Sequence, residues 1–307
     1  PYHAEWEVQG YVDKSVWRQA GENGFLCMTM PEAYGGALDD KRYSVIQMEV
    51  LAAGGYSGIG FGLHSEIVAP YLLHYGTDAQ KEKYLPKLAS GELIGAIAMT
   101  EPAAGSDLQG VKTTAVRDGD DFIINGSKTF ITNGWNAGLV IVVAKTDPSA
   151  GAKGTSLFLV EAGTPGFEKG QRLKKLGMKA QDTSELFFQN VRVSADQLLG
   201  GAAHLNRGFI ALMEQLPWER LQIAVTAVAA AQSVIEQTVA YVKERHVFGQ
   251  PVASYQNTRY TLAELQTEVQ VARVFVDKCI ELVMADQLDS GTASMAKYWC
   301  TDLQCKV

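Results

Sequence analysis

The sequence predicts an α+β fold in three consecutive parts: an N-terminal helical domain, a central antiparallel β-domain and a C-terminal helical bundle. Two observations carry this. Asp118-Gly119, Asn125-Gly126 and Asn133-Gly134 are hairpin-type turn pairs set between β-prone runs in the middle of the chain. On either side, apolar residues recur three and four apart, the helical period. The strands follow one another without intervening helices, which excludes a doubly wound βαβ sheet. The boundaries read as 1–93, 94–200 and 201–307.

In the first part, Trp6 to Asn23 has helix-compatible spacing, Pro31 to Gly36 is a loop, and Tyr43 to Ala53 is a second helical stretch. The glycine-rich segment Gly54 to Gly62 permits a turn or close helix packing. Asp78 reads as the N-cap of a short helix reaching Ala89. The pattern changes at Ile94. The β-prone runs are Phe122 to Ile124, Thr129 to Thr132, Leu139 to Ala144, Ser156 to Val160 and Leu186 to Val193. Helix returns at about Gly208, and Pro217 inside it should produce a kink. That helix ends near Arg245, and Gly249-Gln250-Pro251 separates it from the next. Leu262, Leu265, Val269, Ala272, Val276, Ile280 and Val283 then form a stripe of the kind that makes a helix–helix core.

Apolar residues make up 47% and charged residues 20%, which is ordinary for a globular chain and argues against disorder. The 27 basic and 34 acidic residues leave a formal charge of −7, so no basic footprint for nucleic acid is present. Cys27, Cys279, Cys300 and Cys305 include no CxxC pair and read as free thiols, with neither a metal site nor a disulfide framework. No apolar run approaches the ~20 residues of a membrane span. The chain opens at Pro1 and stops at Val307 inside a helical pattern, so it reads as a piece of a longer protein.

Three segments could carry chemistry. In Met99 to Asp107, small residues let the backbone approach a ligand, and Thr100 and Ser106 supply hydroxyls. Composition alone favours a surface loop capped by Asp107. In Lys128 to Gly134, Phe130 and Thr132 lie two apart on a strand and so face one side. A flat ring beside a donor suits a flavin edge; it also suits any half-buried strand. In Gln215 to Leu221, Leu212, Leu216, Glu219 and Ile223 share one helical face. A carboxylate on an apolar face is costly unless paired or used. Desolvation would raise its pKa and suit it to work as a base near neutral pH. A Glu at the stripe's edge, paired with Lys or Arg, is the equal alternative.

Taken together and in order, these segments resemble the acyl-CoA dehydrogenase family. Thr-Glu-Pro-Ala-Ala-Gly-Ser-Asp at 100–107 is similar to its signature, with Ala103 where the family usually has Gly. Phe-Ile-Thr-Asn-Gly at 130–134 matches its flavin-contacting strand. Arg245 to Gly249 and Gln256 match its Arg-x-x-Phe-Gly and following Gln. Gln215 to Leu221 and Met295 to Trp299 are similar to the long-chain type.

The resemblance implies FAD-dependent α,β-dehydrogenation of a medium- or long-chain acyl-CoA to trans-2-enoyl-CoA, a step of fatty acid β-oxidation. It places the base at Glu219, where most members use a loop near the C-terminus. Ile97, Ala98, Met99, Thr100, Gly105 and Ser106 would line the flavin and the thioester end of the substrate, and Phe130, Ile131 and Thr132 the ring. Thr100 would meet its pyrimidine side, and Thr132 would donate near N5. Arg245, Phe248 and Gln256 would hold the FAD of a neighbouring subunit, implying a homo-oligomer, a tetramer or a dimer. Ser106, Ile210, Pro217, Trp218 and Arg220 would contact substrate. A Gln-x-x-Gly-Gly FAD motif and the loop binding the thioester oxygen would lie beyond Val307. Electrons would pass to an electron transfer flavoprotein, in a bacterial cytoplasm or the mitochondrial matrix. The alternatives are an isovaleryl-type dehydrogenase, an oxygen-using oxidase or monooxygenase of the same fold, and a non-catalytic scaffold.

Overall fold

Helices precede the first strand: α1 (His3–Gln9), α2 (Lys14–Glu22), α3 (Arg42–Ala53), α4 (Phe61–Leu63), α5 (Ala69–Tyr75) and α6 (Asp78–Ala89) in a computed structural model that describes residues 2–38 and 40–307. The stretch expected to be helical from Trp6 to Asn23 is two helices, because Gly10 at φ 78° ends α1 in a left-handed cap. Between α4 and α5 the helix widens into a π turn, His64–Val68. Thr77, not Asp78, caps α6: its hydroxyl accepts from the Gln80 N–H, and the Gln80 side chain accepts from the Thr77 N–H. Thr at N-cap with Gln three residues on is a capping box, which a lone Asp one position later does not complete.

The sheet is built from β1 (Gly95–Ala98), β2 (Thr114–Asp118), β3 (Asp121–Thr132), β4 (Leu139–Lys145), β5 (Thr155–Glu161), β6 (Phe167–Arg172) and β7 (Thr183–Ser194). Its order is β1-β4-β2-β3-β7-β6, with β5 paired to β4. The expected antiparallel ladder holds for β2–β3, β3–β7, β6–β7 and β4–β5, but β2 meets β4 in parallel at Thr114 and Lys145, and β1 runs parallel to β4. The chain between those two is long enough to return in the same direction, which a short hairpin cannot do. Every residue of β4 is buried. Leu139, Ile141 and Val143 enter one core with Leu72, Leu85 and Leu88; Val140, Val142 and Ala144 enter a second with Ile124, Phe158 and Phe188.

Two of the three expected turns differ. Asp118-Gly119 does link β2 to β3, but Asn125-Gly126 lies inside β3, opposite a bulge formed by Gln189 and Asn190 of β7. β7 is as long as β3 and pairs along it, so the ladder overrides the local turn preference and absorbs the extra residue. Asn133-Gly134 does turn the chain, but β3 and β4 do not pair, so it is not a hairpin.

The chain continues through α7 (Gly208–Glu244), β8 (His246–Val247), β9 (Gln250–Pro251), α8 (Gln256–Met284) and α9 (Ser290–Lys306). By compactness it divides into two units, one of residues 1–40 with 57–215, the other of 41–56 with 216–307. In the second unit, Leu221, Ala224, Val225 and Val228 of α7 pack with Val269, Ala272, Val276 and Cys279 of α8, Ala296 and Cys300 of α9, and Val45 and Met48 of α3. Arg273 of α8 pairs with Glu49 of α3 and with Asp277. α7 runs helical through Pro217. By length and composition it would also pass for a membrane-crossing helix, but polar and charged residues interrupt it throughout, and Leu221, Ala224, Val225 and Val228 pack in the core of the second unit.

Candidate active site

β1 ends at Ala98, and the chain leaves the sheet through Met99 and Thr100. The Glu101 N–H donates to Ala104 O at 2.9 Å and the Ala104 N–H to Glu101 O at 3.1 Å, closing a tight turn around Pro102-Ala103. The Asp107 carboxylate caps the next turn through the Gln109 N–H at 3.1 Å, as the surface-loop reading expects. Met99 and Thr100 are half-buried; Gly105 and Ser106 are exposed. The side chains of Ile97, Ala98 and Ile131 lie in the two cores, so these three can offer a ligand only their backbone.

β3 runs beside this segment. The Thr129 N–H donates to Thr100 O at 2.9 Å. The ladder to β7 then shifts between Lys128 and Ile131, and Phe130 stands in the left-handed region at φ 58° with its ring 67% exposed. A bulky residue there is a real outlier. The bulge breaks the plain alternation expected to put Phe130 and Thr132 on one side; Phe130 faces outward and Thr132 is half-buried.

Sequence reasoning missed a buried ion pair under this surface. Lys128 Nζ lies 2.8 Å from Glu101 Oε1 and 3.0 Å from Met99 O. Glu101 also accepts the N–H groups of Lys112 at 2.6 Å and Thr113 at 2.9 Å. Burial pushes the Glu101 carboxyl upward, but Lys128 and these backbone donors outweigh it and hold it below its ordinary range. Burial pushes Lys128 down to about 8, against the pull of Glu101. No local signal marks the pair: Glu101 stands in a loop before a proline and Lys128 follows a glycine and a serine, and only the fold buries them.

Past Thr132, the buried Asn133 adopts φ 62° and donates from Nδ2 to Gly60 O at 3.0 Å. Its N–H donates to Asp182 O at 3.1 Å, and the Asp182 carboxylate accepts the Asn136 N–H at 2.7 Å. The turn that follows the strand is thereby fixed on two sides.

In the second unit, Glu219 is half-buried on α7. Its expected partners on one apolar face divide: Leu212 is buried, Leu216 half-buried and Ile223 42% exposed. The packed face is instead the one bearing Trp218, Leu221 and Val225. Glu219 therefore does not sit in a packed apolar stripe. Trp218 is buried beneath Lys41, whose Nζ lies 5.0 Å from the ring centroid. Arg220 donates to Ser290 Oγ at 2.9 Å and Ser294 Oγ at 3.2 Å. Both side chains are thus engaged within the unit, while Pro217 is half-buried and Ile210, in the first unit, is exposed. A carboxylate that sequence reasoning did not weigh, Glu214 in the first turns of α7, accepts from Tyr75 Oη at 2.7 Å. Arg245 and Phe248 are exposed at the β8–β9 hairpin, Phe248 at 97% and φ 50°, and Gln256 donates to Tyr260 Oη at 2.7 Å.

The first unit thus offers an outward aromatic ring, half-buried hydroxyls at Thr100 and Thr132, and open space beside Gly105, where an added Cβ would meet nothing within 4 Å. A planar ring with a polar edge, such as that of FAD, fits such a surface.

Three family models match in chain order: acyl-CoA dehydrogenase N-terminal domain at residues 1–92, middle domain at 96–191 and C-terminal domain at 206–307. The mitochondrial long-chain specific acyl-CoA dehydrogenase of Mus musculus is 52% identical over 309 residues, covering 100% of this chain and 71% of that protein. The mitochondrial isovaleryl-CoA dehydrogenase of Pongo abelii is 40% identical over 266 residues, covering 86% and 62%. The crystal structure of an acyl-CoA dehydrogenase from Geobacillus kaustophilus superposes with a TM-score of 0.96 at 49% identity, covering 100% of this chain and 80% of that one.

Proposed function

The chain belongs to the acyl-CoA dehydrogenase family, and on that premise we propose that it oxidises medium- to long-chain fatty acyl-CoA to trans-2-enoyl-CoA with Glu219 as the base. It is an FAD-dependent oxidoreductase acting on acyl-CoA. The greater identity to the long-chain enzyme than to the isovaleryl one supports the substrate class.

An α-proton of a thioester is weakly acidic, so its removal needs a positioned base. The Glu219 carboxylate would supply one from the long helix α7. FAD, when bound, accepts the hydride that leaves the β carbon. Thr100 and Thr132 would meet the polar edge of its ring and Phe130 its face, while Ile97, Ala98, Met99 and Ile131 contribute backbone. Gly105 leaves the loop open, and Ser106 meets the pantetheine. Of the proposed substrate contacts, Ile210 and Pro217 would line the acyl chain; Trp218 and Arg220 would act by fixing the helix that carries Glu219. Arg245, Phe248 and Gln256 would reach the FAD of a neighbouring copy in a homo-oligomer. The electron acceptor is an electron transfer flavoprotein, and the compartment a bacterial cytoplasm or the mitochondrial matrix.

The test is anaerobic titration of the full-length enzyme with acyl-CoAs of graded length. A twelve-carbon thioester should bleach the flavin faster than a five-carbon branched one; the reverse order would make it an isovaleryl-type enzyme. Rapid reaction of the reduced enzyme with oxygen would make it an oxidase. Glu219→Gln should bind FAD and acyl-CoA but lose roughly 10²–10⁴-fold in the rate of bleaching. A variant within a few-fold of wild type puts the base elsewhere.

A further inference from the structure

We propose that Glu101 and Lys128 are positioning residues for the reaction: a buried ion pair that fixes the Met99–Thr100 segment against the Phe130 bulge and so sets how the cofactor-facing groups are presented. The proposal rests on reading that surface as the FAD site.

The pair is closed to water, with the Lys128 side chain 0% and the Glu101 side chain 4% exposed. Its hydrogen bonding is complete enough to make it specific. Lys128 Nζ serves Glu101 at 2.8 Å and Met99 O at 3.0 Å. The Glu101 oxygens serve Lys128 and the N–H groups of Lys112 and Thr113. Three stretches of chain therefore converge on two charges: the loop after β1, the segment entering β2, and β3 itself.

Stability alone is a poor reason for such a pair. Desolvating two charges offsets most of their attraction, and well-packed apolar residues commonly replace a buried pair without loss. Geometry is a better reason. Lys128 is the last residue in register before the bulge, and Ile131, buried at 2%, is the first after it. Phe130 between them holds a conformation that persists only when its surroundings over-determine it. From the other side, the same Lys128 ammonium holds the Met99 carbonyl, and Thr129 N–H holds Thr100 O. Both halves of the proposed ring-binding surface thus hang on one ammonium group. An apolar pair would fill the volume, but it could not hold a carbonyl and two backbone N–H groups in fixed directions.

The test uses the full-length, FAD-loaded enzyme. Lys128→Met and Glu101→Gln each leave one partner unmatched, so each should lower the melting temperature. Each should also shift the flavin absorption bands and reduce kcat by roughly 10–100-fold, with KM for acyl-CoA within about threefold, as small misplacements of reacting groups do. The double variant Glu101→Gln with Lys128→Met removes the unmatched charge. It should recover the part of the melting temperature that the unpaired charge costs, while kcat stays low and the spectrum stays shifted. Recovery of kcat and spectrum together with stability would overturn the proposal and leave the pair a structural feature only. Should the double variant fail to fold, Glu101→Asp keeps the charge and moves it; wild-type kcat and spectrum in that variant would overturn the proposal equally. A wild-type enzyme that takes up no FAD would instead remove the reading of the surface, and the proposal with it.

Discussion

Asp182 is a buried carboxylate, 4% exposed, held by the Asn136 N–H. Burial pushes its carboxyl up to about 6, against the pull of Asn136, Lys169 and Lys175. The folded value thus lies above the unfolded one, so the folded state holds the extra proton between about pH 4 and 6. The contribution is fully present below that window and is lost as pH rises through it, the opposite sense to a salt-bridged carboxylate. Its size is on the order of 3 kcal/mol. Asp182→Asn keeps an acceptor for Asn136 and has no charge to bury, and Lys169 keeps its bonds to Trp135 O and Ala137 O. The melting temperature of the variant relative to wild type should therefore be lowest near pH 4 and rise towards pH 7. A difference that is flat or falls over that range would show that Asp182 is not the group responsible. Neither Asp182 nor the Glu101–Lys128 pair was legible in the sequence, because their roles depend on burial, which is set by pairing between distant strands. The motif residues Thr100, Phe130, Thr132 and Glu219 were legible as candidates, yet the half-exposed setting of Glu219 was not: helical periodicity shows which residues share a face, not which face packs.

At the scale of the elements, strand and helix positions followed from period and turn chemistry, and the errors lie where tertiary pairing overrode a local preference. Asn125-Gly126 is a good turn pair that the β3–β7 ladder keeps inside a strand, opposite a bulge in β7. Asn133 spends its turn propensity on a left-handed residue that docks on Gly60. This docking is testable. A Cβ added at Gly60 would lie 2.0 Å from Asn133 Oδ1, a side chain only 2% exposed and with no room to retreat. Gly60→Ala should therefore cost roughly 1–3 kcal/mol by overpacking, and it should lower activity through the neighbouring Thr132. In an Asn133→Ala background most of that stability cost should vanish, since the clashing atom is gone. Chemical denaturation of the two single variants and the double variant gives the coupling. Additive costs would mean that Gly60 is required for something other than Asn133.

For the whole molecule, the order of helices, sheet and helices was readable, but the grouping in space was not. α3 lies early in the chain and packs in the second unit with α7, α8 and α9, tied by Arg273 to Glu49. No local pattern announces such a swap. The β8–β9 hairpin raises the last question at this scale, because Phe248 is almost fully exposed and stands at φ 50° with Gly249 at φ 79° beside it. The two positive φ values form the two-residue turn that joins β8 to β9, whereas the exposed ring does nothing for the fold of one chain. An exposed ring gains nothing by burial, and a non-glycine residue in the left-handed region costs on the order of 1–2 kcal/mol. A phenyl ring, rather than glycine or asparagine, at that turn makes sense if the tip meets a ligand of another copy, as proposed for Arg245, Phe248 and Gln256 and the FAD of a neighbouring subunit. Phe248→Gly then has two effects of opposite sign. It relieves the backbone, so the melting temperature of the FAD-free full-length protein should hold or rise slightly. It removes the ring, so FAD should bind more weakly and the FAD-dependent oligomer should dissociate more readily. Arg245→Ala should weaken FAD in the same way with little change in the FAD-free melt, since surface substitutions usually stay within about 0.5 kcal/mol. FAD titration and sedimentation of both variants decide the matter. Wild-type FAD affinity and assembly in Phe248→Gly would mean that the hairpin tip has no part in the cofactor site.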